Sequence, residues 1–151
     1  MLDSDALFME EALFEAKMAF AKEEVPVGAV AVFNGKIIAR AHNLVEALQD
    51  ASAHAEVLCL RKAAEVLGGW RLLGVTLYST LEPCSLCAGA LFSFRVERVV
   101  WGAPDLRQGA DGSFVNLLGL DHPIHKLSVT RGVLAEESAG LLRAFFQKKR
   151  K

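Results

Sequence analysis

The chain has 151 residues, 52 % of them hydrophobic and 23 % charged, a length and an apolar share that suit one compact core. Charges interspersed among apolar blocks, with no low-complexity tract, exclude disorder as the main state. The longest stretch without Asp, Glu, Lys or Arg, Pro83 to Phe94, is 12 residues, against the roughly 18 that a membrane span needs.

The start, Met1-Leu2-Asp3-Ser4-Asp5, is acidic where a secretory leader is basic. The expectation is a cytoplasmic chain without membrane association, organised as one domain over residues 1–151. Three cysteines, Cys59, Cys84 and Cys87, are too few and odd in number for a disulfide framework. The 17 basic and 18 acidic residues give a net charge of −1, yet four of the basic ones are the last four, Lys148, Lys149, Arg150 and Lys151. Such a run is either a solvated tail or an arm for phosphates.

In chain order, Leu2, Ala6, Met9, Leu13, Ala16 and Phe20 recur at steps of four and three, opposite Asp3, Glu10, Glu11 and Lys17, which predicts an amphipathic helix. Val27 to Phe33 and Lys36 to Ala41 read as strands joined by Asn34-Gly35, the pair that a tight hairpin favours. Ser52 is a candidate N-cap for a helix carrying Ala53, Val57, Leu60, Ala64 and Leu67, stopped by Gly68-Gly69. Leu72 to Ser79 then reads as a buried strand and Pro83 to Phe94 as a helix with proline in its first turn. Val96 to Gly102 is a further strand, Ala103 to His125 loop and short helix, Lys126 to Val133 a last strand, and Glu136 to Lys149 a closing helix. The pattern is α/β: a hairpin opens a sheet whose later strands are reached through helical crossovers.

Cys84 and Cys87 stand three apart at the start of a helix, where the unpaired N–H groups and the dipole favour the thiolates that a metal requires. His54 opens another helix, in Ala53-His54-Ala55-Glu56. Nitrogen and sulfur donors suit zinc; three of them with water as the fourth make a catalytic site, and a fourth protein ligand makes a structural one. Candidates for that fourth ligand are Cys59, His42, His122 and His125. A lone Cys-x-x-Cys also fits a redox pair, and each residue has a plainer role open to it: His54 as a cap or core residue, Glu56 as a solvated acid. If the fourth position is open, zinc brings the pKa of water near 7 and Glu56 is placed to shuttle the proton, an effect worth about 10² to 10⁴ in rate.

His54-Ala55-Glu56 with Pro83-Cys84-Ser85-Leu86-Cys87 matches the signature of zinc-dependent nucleobase deaminases. The likeness is wider. Glu24 to Val30, Thr80 to Cys84, Cys87 to Ala90, Arg98 to Ala103 and Gly109 to Ser113 all resemble the bacterial tRNA adenosine deaminases, nearly end to end. That resemblance implies a three-layer α/β/α fold with a central mixed sheet of about five strands, and one zinc per subunit held by His54, Cys84 and Cys87. It implies a homodimer that deaminates the wobble adenosine of a tRNA anticodon stem-loop, in arginine tRNA, with Glu56 carrying the protons. Asn43 matches the residue that holds the base, and Val25, Pro26, Ala55 and Leu81 match pocket-lining positions. The basic tail Lys148, Lys149 and Arg150 with Phe146 reads as an edge of the RNA site, Phe145 more as core, and Asp105 and Arg107 as contacts to flanking nucleotides.

Two positions depart from the family pattern: Ala51 stands where proline is common, and Leu106 enters a loop that is often more polar. Two other readings share the zinc set. One is a deaminase of guanine, cytosine or a deoxynucleotide, and the other is a zinc-stabilised RNA-binding module without catalysis.

Overall fold

The computed structural model describes residues 3–150; Leu2, where the first helical pattern begins, and Lys151, at the end of the tail, lie outside the described residues. A five-stranded mixed sheet has the order β2-β1-β3-β4-β5. Strand β1 (Gly28–Phe33) pairs antiparallel with β2 (Lys36–His42) and with β3 (Thr76–Leu81), and β4 (Arg98–Ala103) lies parallel to β3 and to β5 (Ser128–Arg131). The hairpin follows from its turn residues: Asn34 and Gly35 sit at φ 52° and 76°, the left-handed pair that a two-residue turn matching the strand twist requires.

Alternation along the strands sorts the layers. Ala29, Ala31, Leu77 and Val99 face one way, into a core shared with Cys59, Leu60 and Ala63 of α3 (Ala55–Leu67) and Ala88 and Leu91 of α4 (Ser85–Ser93). Val30, Val32, Tyr78 and Val100 face the other way, onto Met9 and Ala12 of α1 (Ser4–Ala21). The closing helix α5 (Ala135–Lys149) packs beside α1 and against β4, which completes three layers. Helix α1 lies directly on β1, because a Cβ on Gly28 would stand 2.1 Å from the Ala12 carbonyl oxygen. Asp5 ties its start to the sheet, accepting from Tyr78 Oη at 2.6 Å and from Arg98.

Several boundaries differ from the sequence expectation. Ser52 does not cap α3; its N–H and Oγ both donate to Asp50 Oδ1, closing a turn that leaves His54 as the N-cap. Pro83 precedes α4, whose N-cap is Cys84, so the two cysteines take the cap and third positions, which meet at a helix entrance. Leu72 to Val75 turns before β3, with Gly74 at φ 80°, and the strand starts at Thr76. A short helix α2 (Val45–Leu48) follows β2. The crossover from β4 to β5, residues 104–127, contains no helix among the described residues. Among the described residues no helix is long and apolar enough to cross a membrane.

These connections put the end of β2, the start of β1 and the ends of β3 and β4 along one edge of the sheet, as the pairs Gly28 with His42 and Leu81 with Ala103 show. Open α/β sheets bind ligands at such an edge.

Candidate active site

Only Glu82 and Pro83 separate the end of β3 from the cap of α4, so Cys84 is held at the sheet edge. Residues 50–53 form a tight turn that delivers His54 to the same place. His54 Nδ1 lies 3.4 Å from both Cys84 Sγ and Cys87 Sγ. Tetrahedral zinc with ordinary bond lengths separates a nitrogen and a sulfur ligand by about 3.6 Å, so the three donors already stand at nearly the spacing an ion requires. They form the group of metal-binding geometry among the described residues.

The electrostatics agree with that use. Hydrogen bonding from Cys87, and then from His54, holds the Cys84 thiol down at about 4. The bond to Cys84 raises the His54 imidazole, while Cys87 is pushed up by the same partner and by burial. A thiol held low at a helix entrance readily gives up its proton to a metal ion, since cysteine ligates as the thiolate.

Glu56, in the first turn of α3, is 4 % exposed, and burial pushes its carboxyl up from 4.5 to about 7. A carboxyl tuned to that value can both take and return a proton near neutral pH. It stands outside the three-residue metal group.

Every candidate for a fourth ligand is engaged elsewhere. Cys59 is fully buried with its thiol toward the Ala39 carbonyl, and burial raises it far above the usual range. His42 has Nδ1 2.9 Å from Glu15 Oε1 and Nε2 3.0 Å from Lys22 Nζ. Because lysine only donates, Nε2 accepts and Nδ1–H donates to Glu15. His125 Nε2 meets the Val96 carbonyl at 2.6 Å, and His122 stacks on Phe92 and accepts two backbone N–H groups.

Asn43 is buried directly after β2, held by its own N–H to the Val27 carbonyl, and its Oδ1 is a buried acceptor with no partner among the described residues. Such an atom costs about 1 to 3 kcal/mol unless something donates to it. Val25 and Leu81 are half-buried against the α3–α4 core, and Pro26 and Ala55 are buried. Asp105 Oδ1 accepts from the N–H groups of Arg107 and Gln108, leaving Arg107 exposed at a loop tip. Phe145 is core, edge-on to Phe20, whereas Phe146 is 42 % exposed. Lys148, Lys149 and Arg150 are exposed, with Lys148 Nζ over the Phe20 ring. Since α1 ends at the site edge, this cluster extends beyond that edge.

Two site residues had weak sequence signals. Glu24 is buried and accepts from the N–H groups of Glu46 and Ala47, fixing the start of α2 just after Asn43. Glu82 does the same for the loop after β4. An acid wedged between an apolar strand and Pro-Cys was the available clue, but which amides it would meet depends on residues far along the chain.

Residues 2–103 match the family described as the cytidine and deoxycytidylate deaminase zinc-binding region. The tRNA-specific adenosine deaminase of Bacillus subtilis is 53 % identical, the match covering 99 % of this chain and 93 % of that one. A solved structure from studies of A-to-I editing by tRNA:A34 deaminases at the wobble position superimposes with a TM-score of 0.86 at 44 % identity, over 90 % of this chain and 99 % of the other. A guanine deaminase from Nitrosomonas europaea is more distant, with a TM-score of 0.81 at 25 % identity, over 93 % and 83 %. With its paired cysteines, its histidine and its near end-to-end likeness, the chain belongs to the cytidine and deoxycytidylate deaminase family, among the tRNA-specific adenosine deaminases.

Proposed function

We propose that the protein hydrolytically deaminates adenosine to inosine at the wobble position of a tRNA anticodon, releasing ammonia. The observation that carries this is the meeting of His54, Cys84 and Cys87, with Glu56 buried beside them and each candidate fourth ligand engaged elsewhere. The likeness to tRNA-specific adenosine deaminases supports the substrate. Residues 1–151 act as one deaminase domain.

His54, Cys84 and Cys87 hold one zinc ion, which supplies the Lewis acidity that makes water a nucleophile near neutral pH. Glu56 takes one proton from the attacking water and gives it to ring nitrogen N1, then takes the second from the oxygen now on C6 and passes it to the departing amine. Water and adenosine in, inosine and ammonia out, balances with Glu56 returned to its starting state. Asn43 Oδ1 gains the donor it lacks when the nucleoside enters. Val25, Pro26, Ala55 and Leu81 line the pocket and exclude water from it.

An anticodon base must leave its stack to reach so recessed a centre, and proteins recover that cost through aromatic stacking and phosphate contacts. Phe146, Lys148, Lys149 and Arg150 provide both beyond the site edge, and Asp105 and Arg107 meet the flanking nucleotides. The substrate is arginine tRNA, met in the cytoplasm by a homodimer. The test is incubation of the zinc-loaded protein with an anticodon stem-loop bearing adenosine at the wobble position, beside guanine, cytosine and deoxycytidylate. Inosine and ammonia from the stem-loop alone is the expected result, and turnover of a free base or nucleotide in preference to it refutes the assignment.

A further inference from the structure

Glu82 is 1 % exposed, and among the described residues its hydrogen-bond partners are three amides and a hydroxyl rather than a basic side chain. Oε1 accepts from the Asp105 N–H at 3.0 Å and from Ser113 Oγ at 2.5 Å; Oε2 accepts from the N–H groups of Asp111 at 2.8 Å and Ser113 at 3.3 Å. A carboxylate offers about four acceptor positions, and all of them go to one loop.

Other contacts pin the same loop. The Ala110 N–H donates to the Pro83 carbonyl at 2.7 Å, and Cys84 and Gly109 form an antiparallel bridge. Asp111 receives Trp101 Nε1 at 2.8 Å and the Arg131 guanidinium. Gly109 is needed there, since a Cβ would stand 2.3 to 2.4 Å from the Glu82 carboxylate atoms. The tip, carrying Leu106, Arg107 and Gln108, is exposed between these pins, with Asp105 Oδ1 accepting from the Arg107 and Gln108 amides.

We propose that Glu82 is a positioning residue for substrate: by gathering the amides of residues 105–113 it sets their loop as a fixed shelf beside the cysteine-bearing helix, where Asp105 and Arg107 meet the nucleotides that flank the target. This rests on the adenosine deaminase reading of the site. Glu82 hydrogen-bonds to none of His54, Cys84 and Cys87, and the loop's backbone links to Pro83 and Cys84 do not pass through its carboxylate, so its effect falls chiefly on how RNA is held. A glutamine in its place keeps the shape but turns an NH₂ toward one pair of donors; the Ser113 hydroxyl can rotate to accept from it, whereas a backbone amide cannot, so at least one amide is left without an acceptor.

The experiment compares the zinc-loaded parent with Glu82→Gln on the anticodon stem-loop, reading zinc per chain, kcat and KM. The expected result is parental zinc content, kcat within about threefold and KM raised roughly tenfold. Ser113→Ala, which removes one donor, and Gly109→Ala, which presses on the same carboxylate, shift KM in the same direction and carry the test should Glu82→Gln not fold. An unchanged KM overturns the inference, whether zinc and kcat fall together, as a merely structural role requires, or stay parental. A parent inactive on the stem-loop overturns the adenosine reading itself, and this inference with it; an active parent with unmoved variants overturns this inference alone.

Discussion

Replacing Glu56 by Gln removes the proton carrier while keeping its volume, and two consequences follow with opposite signs. Activity falls by about 10² to 10⁴, the range for a positioned acid–base group, while zinc stays at one per chain because Glu56 stands outside the metal-binding group. Stability moves the other way. The carboxyl is 4 % exposed and is raised from 4.5 to about 7 in the metal-free chain. At 1.36 kcal/mol for each pKa unit, ionising it there costs about 3 kcal/mol. A group whose folded pKa is raised contributes most below its unfolded pKa, so the parent loses that amount between about pH 4.5 and 7 and stays level above, whereas Glu56→Gln does not. Urea unfolding of both metal-free proteins across that range measures the difference. A gap that does not widen with pH refutes the burial argument, and zinc lost along with activity refutes the separation of proton carrier from ligand.

Cys84→Ala loses zinc and activity together by metal analysis, whereas Cys59→Ala keeps one zinc per chain and costs about 1 kcal/mol in thermal unfolding, as loss of a small buried side chain does. Asn43→Ala lowers kcat/KM on the stem-loop at least tenfold yet costs little stability, because the acceptor it deletes has no partner among the described residues; a large drop in melting temperature contradicts this. Replacing Lys148, Lys149 and Arg150 by Ala weakens stem-loop binding and lowers the slope of log affinity against log salt by about 2, since each phosphate contact to a single strand contributes about 0.7. An unchanged slope removes the tail from the RNA interface.

What local chemistry controls was legible in the chain itself. Asn34-Gly35 specified the hairpin because asparagine and glycine readily take two left-handed positions in sequence, and Cys84 and Cys87 paired because a helix entrance brings positions three apart together. The placement of His54 and Glu56 at a helix start was legible for the same reason, because near neighbours define that start. The boundaries that shifted were decided by nearby competition, as when Asp50 took Ser52 for a turn and left His54 to cap α3.

The exclusion of His42, His125 and Cys59 from the metal was not legible, because Glu15, Val96 and Ala39, which engage them, lie 20 to 29 residues away along the chain. The buried carboxylates of Glu24 and Glu82 belong to the same class: a sequence states that an acid is present, but the backbone amides that make its burial tolerable are assembled only when the sheet brings distant loops to one edge. Local order is encoded in neighbours and survives being read one residue at a time; partnership across the fold depends on the register of strands and on the path of loops, and it comes into being only with the packed structure.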